Sequence, residues 1–187
     1  MPDRAPIPVA VRALGRLAFL VALLSGPLAA QQPTFRDSLL DRYVGHWVAR
    51  GTIAGRATVH DVTNEWVLAH QFLRVHEVAR ERDSAGRPAY EATVYIGWDA
   101  KRREYACVWL DVFGNVAAQS IAHAPAGSDS LAFLFHYDDG SRMHTTMAWR
   151  RDRQGWDWIL DGEPAGQPET RTPFARLTLT RAPTPRG

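Results

Sequence analysis

Cysteine and lysine are almost missing from this sequence. Its 187 residues include one cysteine, Cys107, and one lysine, Lys101. A single thiol excludes an internal disulfide, so whatever core the chain builds must hold by packing alone. Cys107 lies in the apolar run Tyr105-Ala106-Cys107-Val108-Trp109, which reads as the setting of a buried, inert thiol. The near-exclusive use of arginine as the basic residue reads as codon composition rather than phosphate recognition. Long apolar runs are scarce as well: one stands near the start and no second follows, which argues against a helical membrane bundle. Internal repeats, a phosphate-binding glycine loop, a dinucleotide glycine fingerprint, G-x-S-x-G and a Ser–His–Asp order are all missing from the sequence. The formal net charge is +2, but the first thirty residues hold Arg4, Arg12 and Arg16 against Asp3. The remainder is formally neutral and gives little reason to expect a nucleic-acid partner.

What is present is 45% hydrophobic residue content with 10% aromatics, enough for the core of one domain. The three leader arginines precede Leu17 to Leu24, a short apolar block broken by Ser25-Gly26-Pro27 and followed by Leu28-Ala29-Ala30. A positive start, a short apolar middle and a small-residue exit are the parts of a secretory signal peptide. The block falls short of the roughly 20 residues that span a bilayer. The chain therefore divides into a leader over 1–30 cleaved after Ala30, a domain over 31–181 and a Pro-rich, disordered tail over 182–187. The expected mature protein is exported, periplasmic or extracellular, with no stable membrane insertion after cleavage.

From Thr34 to Tyr43, Phe35, Leu39, Leu40 and Tyr43 recur at helical spacing, with Thr34 placed to cap. After Gly45 the pattern turns to strands, expected at 45–53, 56–66, 67–82, 89–98, 104–113, 116–123, 130–138, 141–150, 155–161 and 173–181. Turn signals separate them, Asp139-Gly140 being the clearest. About ten short strands in sequence predict an all-β, antiparallel up-and-down sheet. Closure into a barrel removes its edges.

Gly45-His46-Trp47, at the first strand after a short helix, resembles the opening of the calycins, which include lipocalins, fatty-acid-binding proteins and nitrobindins. That resemblance implies a barrel in which Trp47 plugs one end under a basic side chain of the last strand, Arg176 or Arg181. Asn64-Glu65-Trp66-Val67-Leu68, Leu73-Arg74-Val75-His76-Glu77, Tyr95-Ile96-Gly97-Trp98-Asp99 and Trp109-Leu110-Asp111 resemble a bacterial secreted family, domain-of-unknown-function family 1579. It implies a lipocalin-like barrel and no particular activity. Nitrobindins open with G-x-W-x-G-x-G, where this chain has Ala49 for the middle glycine. They hold haem through a histidine near the C-terminal end, a region that has none after His144.

Seven histidines show no zinc-ligand spacing. His136 and His144 flank the Asp139-Gly140 turn: a two-residue turn sends them to opposite faces, and a three-residue loop puts them on one. Glu77, Glu91, Asp99 and Asp111 lie in or at the ends of apolar strands, where a carboxylate either faces outward or joins a polar site. Alternation groups Arg74 with His76, Val75 with Glu77, Glu91 with Thr93 and Tyr95, and Cys107 with Trp109 and Asp111. A lumen holding His76, Glu91, Tyr95, Trp109 and Asp111 would orient a ligand; the competing reading is an exterior ion-pair network. Arg176 resembles the inward, carboxylate-binding arginine of fatty-acid-binding proteins, or else it shares with Arg181 the structural place over Trp47. The seven tryptophans fit an aromatic core or a lined cavity equally.

The expected function is binding of a small apolar or amphipathic molecule without chemistry or cofactor. The alternatives are a barrel enzyme with Glu91 or Asp111 as base and His76 or Tyr95 as partner, and a filled structural barrel of the envelope. A haem protein with His76 or His144 as axial ligand is the remaining one.

Overall fold

The computed structural model describes residues 35–114, 118–127, 129–168 and 170–183. The expected leader over 1–30, its cleavage site, the Thr34 cap and residues 184–187 of the expected tail lie outside the described residues. A six-residue helix α1 (Ser38–Tyr43) opens the described chain. It begins four residues later than the sequence pattern suggests, because Asp37 caps it: Asp37 Oδ1 accepts hydrogen bonds from the Leu39 and Leu40 amides, both at 2.9 Å.

Ten strands follow. They are β1 (Gly45–Ile53), β2 (Arg56–Val67), β3 (Phe72–Ala79), β4 (Glu91–Asp99) and β5 (Glu104–Asp111), then β6 (Ile121–Pro125), β7 (Ser130–His136), β8 (Arg142–Arg150), β9 (Gly155–Glu163) and β10 (Thr172–Arg181). Each pairs antiparallel with its sequence neighbours, and β1 pairs with β10 from Trp47↔Arg181 to Ile53↔Ala175, closing the barrel. The closed, ten-strand antiparallel architecture is consistent with a calycin-like fold. Among the described residues no helix is long and apolar enough to cross a membrane.

Several boundaries shift by one or two residues, and two strands differ by more, for local reasons. The strand expected at 67–82 is shortened to β3, because Leu68, Ala69 and His70 all take left-handed backbone angles and turn the chain between β2 and β3. Of the strand expected at 116–123, residues 116–117 lie outside the described residues, Ala118–Ser120 form a single 3-10 turn, and β6 starts at Ile121.

Alternation sorts each strand into an inward and an outward set. Leu73 and Val75 of β3, Val94 and Ile96 of β4, Leu131 and Phe133 of β7, and Leu177 and Leu179 of β10 all bury inside the barrel. One end is filled. Leu39, Leu40 and Tyr43 of α1 lie in this core, and the Tyr43 ring sits 4.9 Å from Trp156 and 6.4 Å from Trp47. Trp47 Nε1 donates to the Tyr43 carbonyl at 2.8 Å, as does Asn64 Nδ2 at 2.8 Å, so the last turn of α1 is tied to both β1 and β2. The Arg181 guanidinium stacks 4.0 Å above the Trp47 ring and donates to the carbonyls of Val44 at 2.6 Å and Arg42 at 3.2 Å. Those carbonyls lie at the helix C-terminus, where cations are favoured. Gly45, at φ 121°, leaves the space this guanidinium occupies; a Cβ there would strike Arg181 Nη1.

Candidate functional site

The opposite end of the barrel is hollow. A cavity of about 600 Å³ opens between the β1–β2, β3–β4, β5–β6, β7–β8 and β9–β10 connections. Trp109, Phe135, Met143, Trp158, Leu160 and Leu177 form its apolar walls. The aromatic walls touch one another: Trp109 lies 5.7 Å from Trp158 and 6.1 Å, edge to face, from Phe135. Arg56 and Glu81 stand at the mouth as an ion pair 3.5 Å apart.

A polar strip runs down one side, built by β2, β3 and the entry to β4. Thr58 and His60 are two residues apart on β2, so both point inward, and Thr58 Oγ1 lies 2.7 Å from His60 Nε2. Across the β2–β3 seam His60 stands opposite Ala79, whose methyl leaves room for the imidazole to reach the diagonal neighbour Glu77. His60 Nδ1 is 2.5 Å from Glu77 Oε1, and both side chains are only 3% exposed. Tyr90, just before β4, stacks on His60 at 5.9 Å. Its hydroxyl accepts from Trp109 Nε1 at 3.1 Å and is hydrogen-bonded to Asp111. Burial first, and then the Glu77 carboxylate, hold the Tyr90 hydroxyl far above the ordinary phenol range, so it stays protonated and able to donate to Asp111.

The structure divides the residues singled out in the sequence. Trp109 and Asp111 line the cavity. His76, Glu91 and Tyr95 do not, because the faces of β3 and β4 that turn inward are Leu73-Val75-Glu77 and Ala92-Val94-Ile96. Burying that larger apolar set decides the parity and sends the polar partners outside, where His76 Nε2 pairs with Glu91 Oε1 at 2.8 Å. Arg176 is corrected in the same way: its neighbours Ala175 and Leu177 point inward, and its guanidinium binds Asp161 at 2.5 Å on the outer wall. Arg181, not Arg176, occupies the place over Trp47. The turn at Asp138-Asp139-Gly140 is the three-residue form, with His136 opposite Arg142, so His136 and His144 share the outer face. His144 there binds Glu163 at 2.8 Å, and neither histidine named as an axial ligand faces the cavity. Among the described residues no group of three or more His, Cys, Asp or Glu side chains is placed to hold a metal ion.

Sequence reasoning missed His60, Thr58 and Tyr90. Glu77 was visible as an acid on an otherwise apolar strand face, Leu73-Val75-Glu77-Ala79, and that was the signal to follow: a lone carboxylate on an inward face requires a partner on the neighbouring strand. No protein-family model matches this chain, and no curated protein matches it either.

Proposed function

We propose that this protein binds a small, uncharged or basic amphipathic molecule within the barrel, and that it does so as an exported, calycin-like protein. The observation that carries the reading is the cavity itself: about 600 Å³, open at one end, with apolar aromatic walls and one polar strip. That size lies within the roughly 300–1,000 Å³ typical of small-molecule sites, and the chemistry of its lining fits them as well. The apolar walls supply affinity through burial, and the strip fixes orientation.

Charge narrows the ligand. Glu77 and Asp111 are the carboxylates of the inner wall, and the one arginine of the lining, Arg56, stands at the rim paired with Glu81. A carboxylate ligand would meet like charge in a poorly hydrated space and find no inward guanidinium among the described residues, which disfavours a fatty acid. Export is supported by the leader sequence, with its three arginines, short apolar block and Ala29-Ala30 exit.

The test is native mass spectrometry of the protein purified gently from the cell fraction in which it accumulates. A reproducible extra mass of a neutral or basic amphipath, lost on denaturation, is the expected result. Bare protein that also fails to take up N-phenylnaphthylamine, a neutral fluorescent amphipath, overturns the binding reading. Accumulation in the cytoplasm with the leader intact overturns export.

A further inference from the structure

We infer that Thr58 is the nucleophile of an acyl-transfer site, with His60 as its base and Glu77 positioning His60. The inference rests on the binding reading above, since the substrate must enter the same cavity. Three side chains from two strands make one hydrogen-bonded chain, with Thr58 Oγ1 2.7 Å from His60 Nε2 and His60 Nδ1 2.5 Å from Glu77 Oε1. We assign the Nδ1 proton to the bond with Glu77, the tautomer in which the carboxylate accepts. Nε2 then presents its lone pair, and the Thr58 hydroxyl donates to it. Hydroxyl to imidazole to carboxylate, with the proton in those places, is the arrangement that general-base activation of an alcohol needs.

A purely structural role explains the chain less well. β2 and β3 are already joined by their backbone ladder through this region, at Val62↔Glu77 and His60↔Ala79. Burying an acid and an imidazole there costs desolvation that an apolar pair would avoid. All three residues also line the cavity rather than the filled end.

The substrate class follows from the walls. An uncharged ester with an apolar acyl group lays that group against Trp109, Phe135 and Leu177, and its carbonyl reaches the polar strip. Thr58 Oγ1 forms a bond to the acyl carbon while its proton passes to His60 Nε2; Glu77 holds the imidazolium. The bond from the acyl carbon to the leaving oxygen breaks, and His60 Nε2 gives its proton to that oxygen. Water then adds to the acyl carbon, its proton going to His60 and from there to Thr58 Oγ1 as the acid departs. No redox change occurs, and water is the co-substrate. The acid product is anionic near neutral pH and is repelled by Glu77 and Asp111, which favours its exit.

The experiment uses the full-length chain with p-nitrophenyl butyrate, read by nitrophenol release, intact mass and peptide mapping after an acid quench. It detects a single turnover. One butyryl group on Thr58 is expected, retained in Thr58→Ser and absent in Thr58→Val. His60→Gln should slow acylation by roughly 100-fold or more. Glu77→Gln should lower the acylation rate and Glu77→Asp should recover part of it, whereas for a merely structural residue the acylation rate of the folded variants would not follow the carboxylate. Binding of N-phenylnaphthylamine by Thr58→Val shows that the variant keeps its fold and cavity. Wild-type protein that binds the probe but forms no adduct, or an adduct equally present in Thr58→Val, overturns the acyl-transfer inference and leaves the binding reading intact. Protein that binds neither probe nor ester removes both.

Discussion

Cys107 and Glu163 are both nearly sealed from water, and their neighbours give them opposite fates. Cys107 faces the core from β5, and burial pushes its thiol up to about 12. The thiolate is therefore scarce at any ordinary pH, and the thiol has no path to a reagent. The native protein should resist iodoacetamide at about pH 8 and take up one carbamidomethyl group in concentrated urea, as intact mass would show. Glu163 at the end of β9 is held on the outer wall by Arg142, through Nε at 2.7 Å and through Nη2, and by His144 at 2.8 Å. The Arg142 guanidinium first, and His144 second, keep its carboxyl below the ordinary value of 4.5. A depressed folded-state value means that Glu163 stabilises the fold fully above about pH 4.5 and loses that contribution as pH falls through the folded value. Urea midpoints of wild type and Glu163→Gln should therefore differ at neutral pH and converge in acid. A gap that stays constant down to the acid limb would contradict this assignment.

Helix α1 is too short to persist by itself, since isolated helices below roughly 12 residues are marginal in water. It stays folded because Asp37 holds it at both carboxylate oxygens: Oδ1 caps the first turn, and Oδ2 accepts the Tyr105 hydroxyl of β5 at 2.6 Å. Asp37→Ala should cost about 1–3 kcal/mol in urea unfolding, the loss of a cap plus an orphaned hydroxyl, and Asp37→Asn should recover most of it. At this scale the sequence was readable where one signal had no rival. Asp139-Gly140, Gly155 and the alternation of β7 through β10 place those strands almost to the residue. The polar strip was not readable, because β3 and β4 each offer two plausible faces. Arg74-His76 and Glu91-Tyr95 look more like chemistry than Leu73-Val75 and Ala92-Val94, yet burial of the aliphatic faces outweighs any polar arrangement and sets the parity. His60 was hidden for a related reason. On β2, Thr58-His60 and Val59-Asp61 are equally mixed, and the choice between them comes only through pairing with Glu77 across the seam.

The barrel itself is a cup with a plugged base and a mildly acidic inner wall. At neutral pH decanol should displace N-phenylnaphthylamine from it at roughly tenfold lower concentration than decanoate, since like charge in a desolvated site costs a factor of ten or more. Asp111→Asn should narrow that ratio; equal displacement by alcohol and acid would argue that the wall carries no effective negative charge. The β1–β10 seam gives the cup a further property, in time rather than space. Trp47 meets Arg181 across 133 intervening residues, and the same two side chains complete the base. In a nascent chain the first partner is made long before the second. Until residues 172–181 are available to pair, β1 has β2 beside it but not β10, and the base lacks its cover. Pairing of such distant partners makes closure of the seam a late, non-local step of folding, wherever the chain folds.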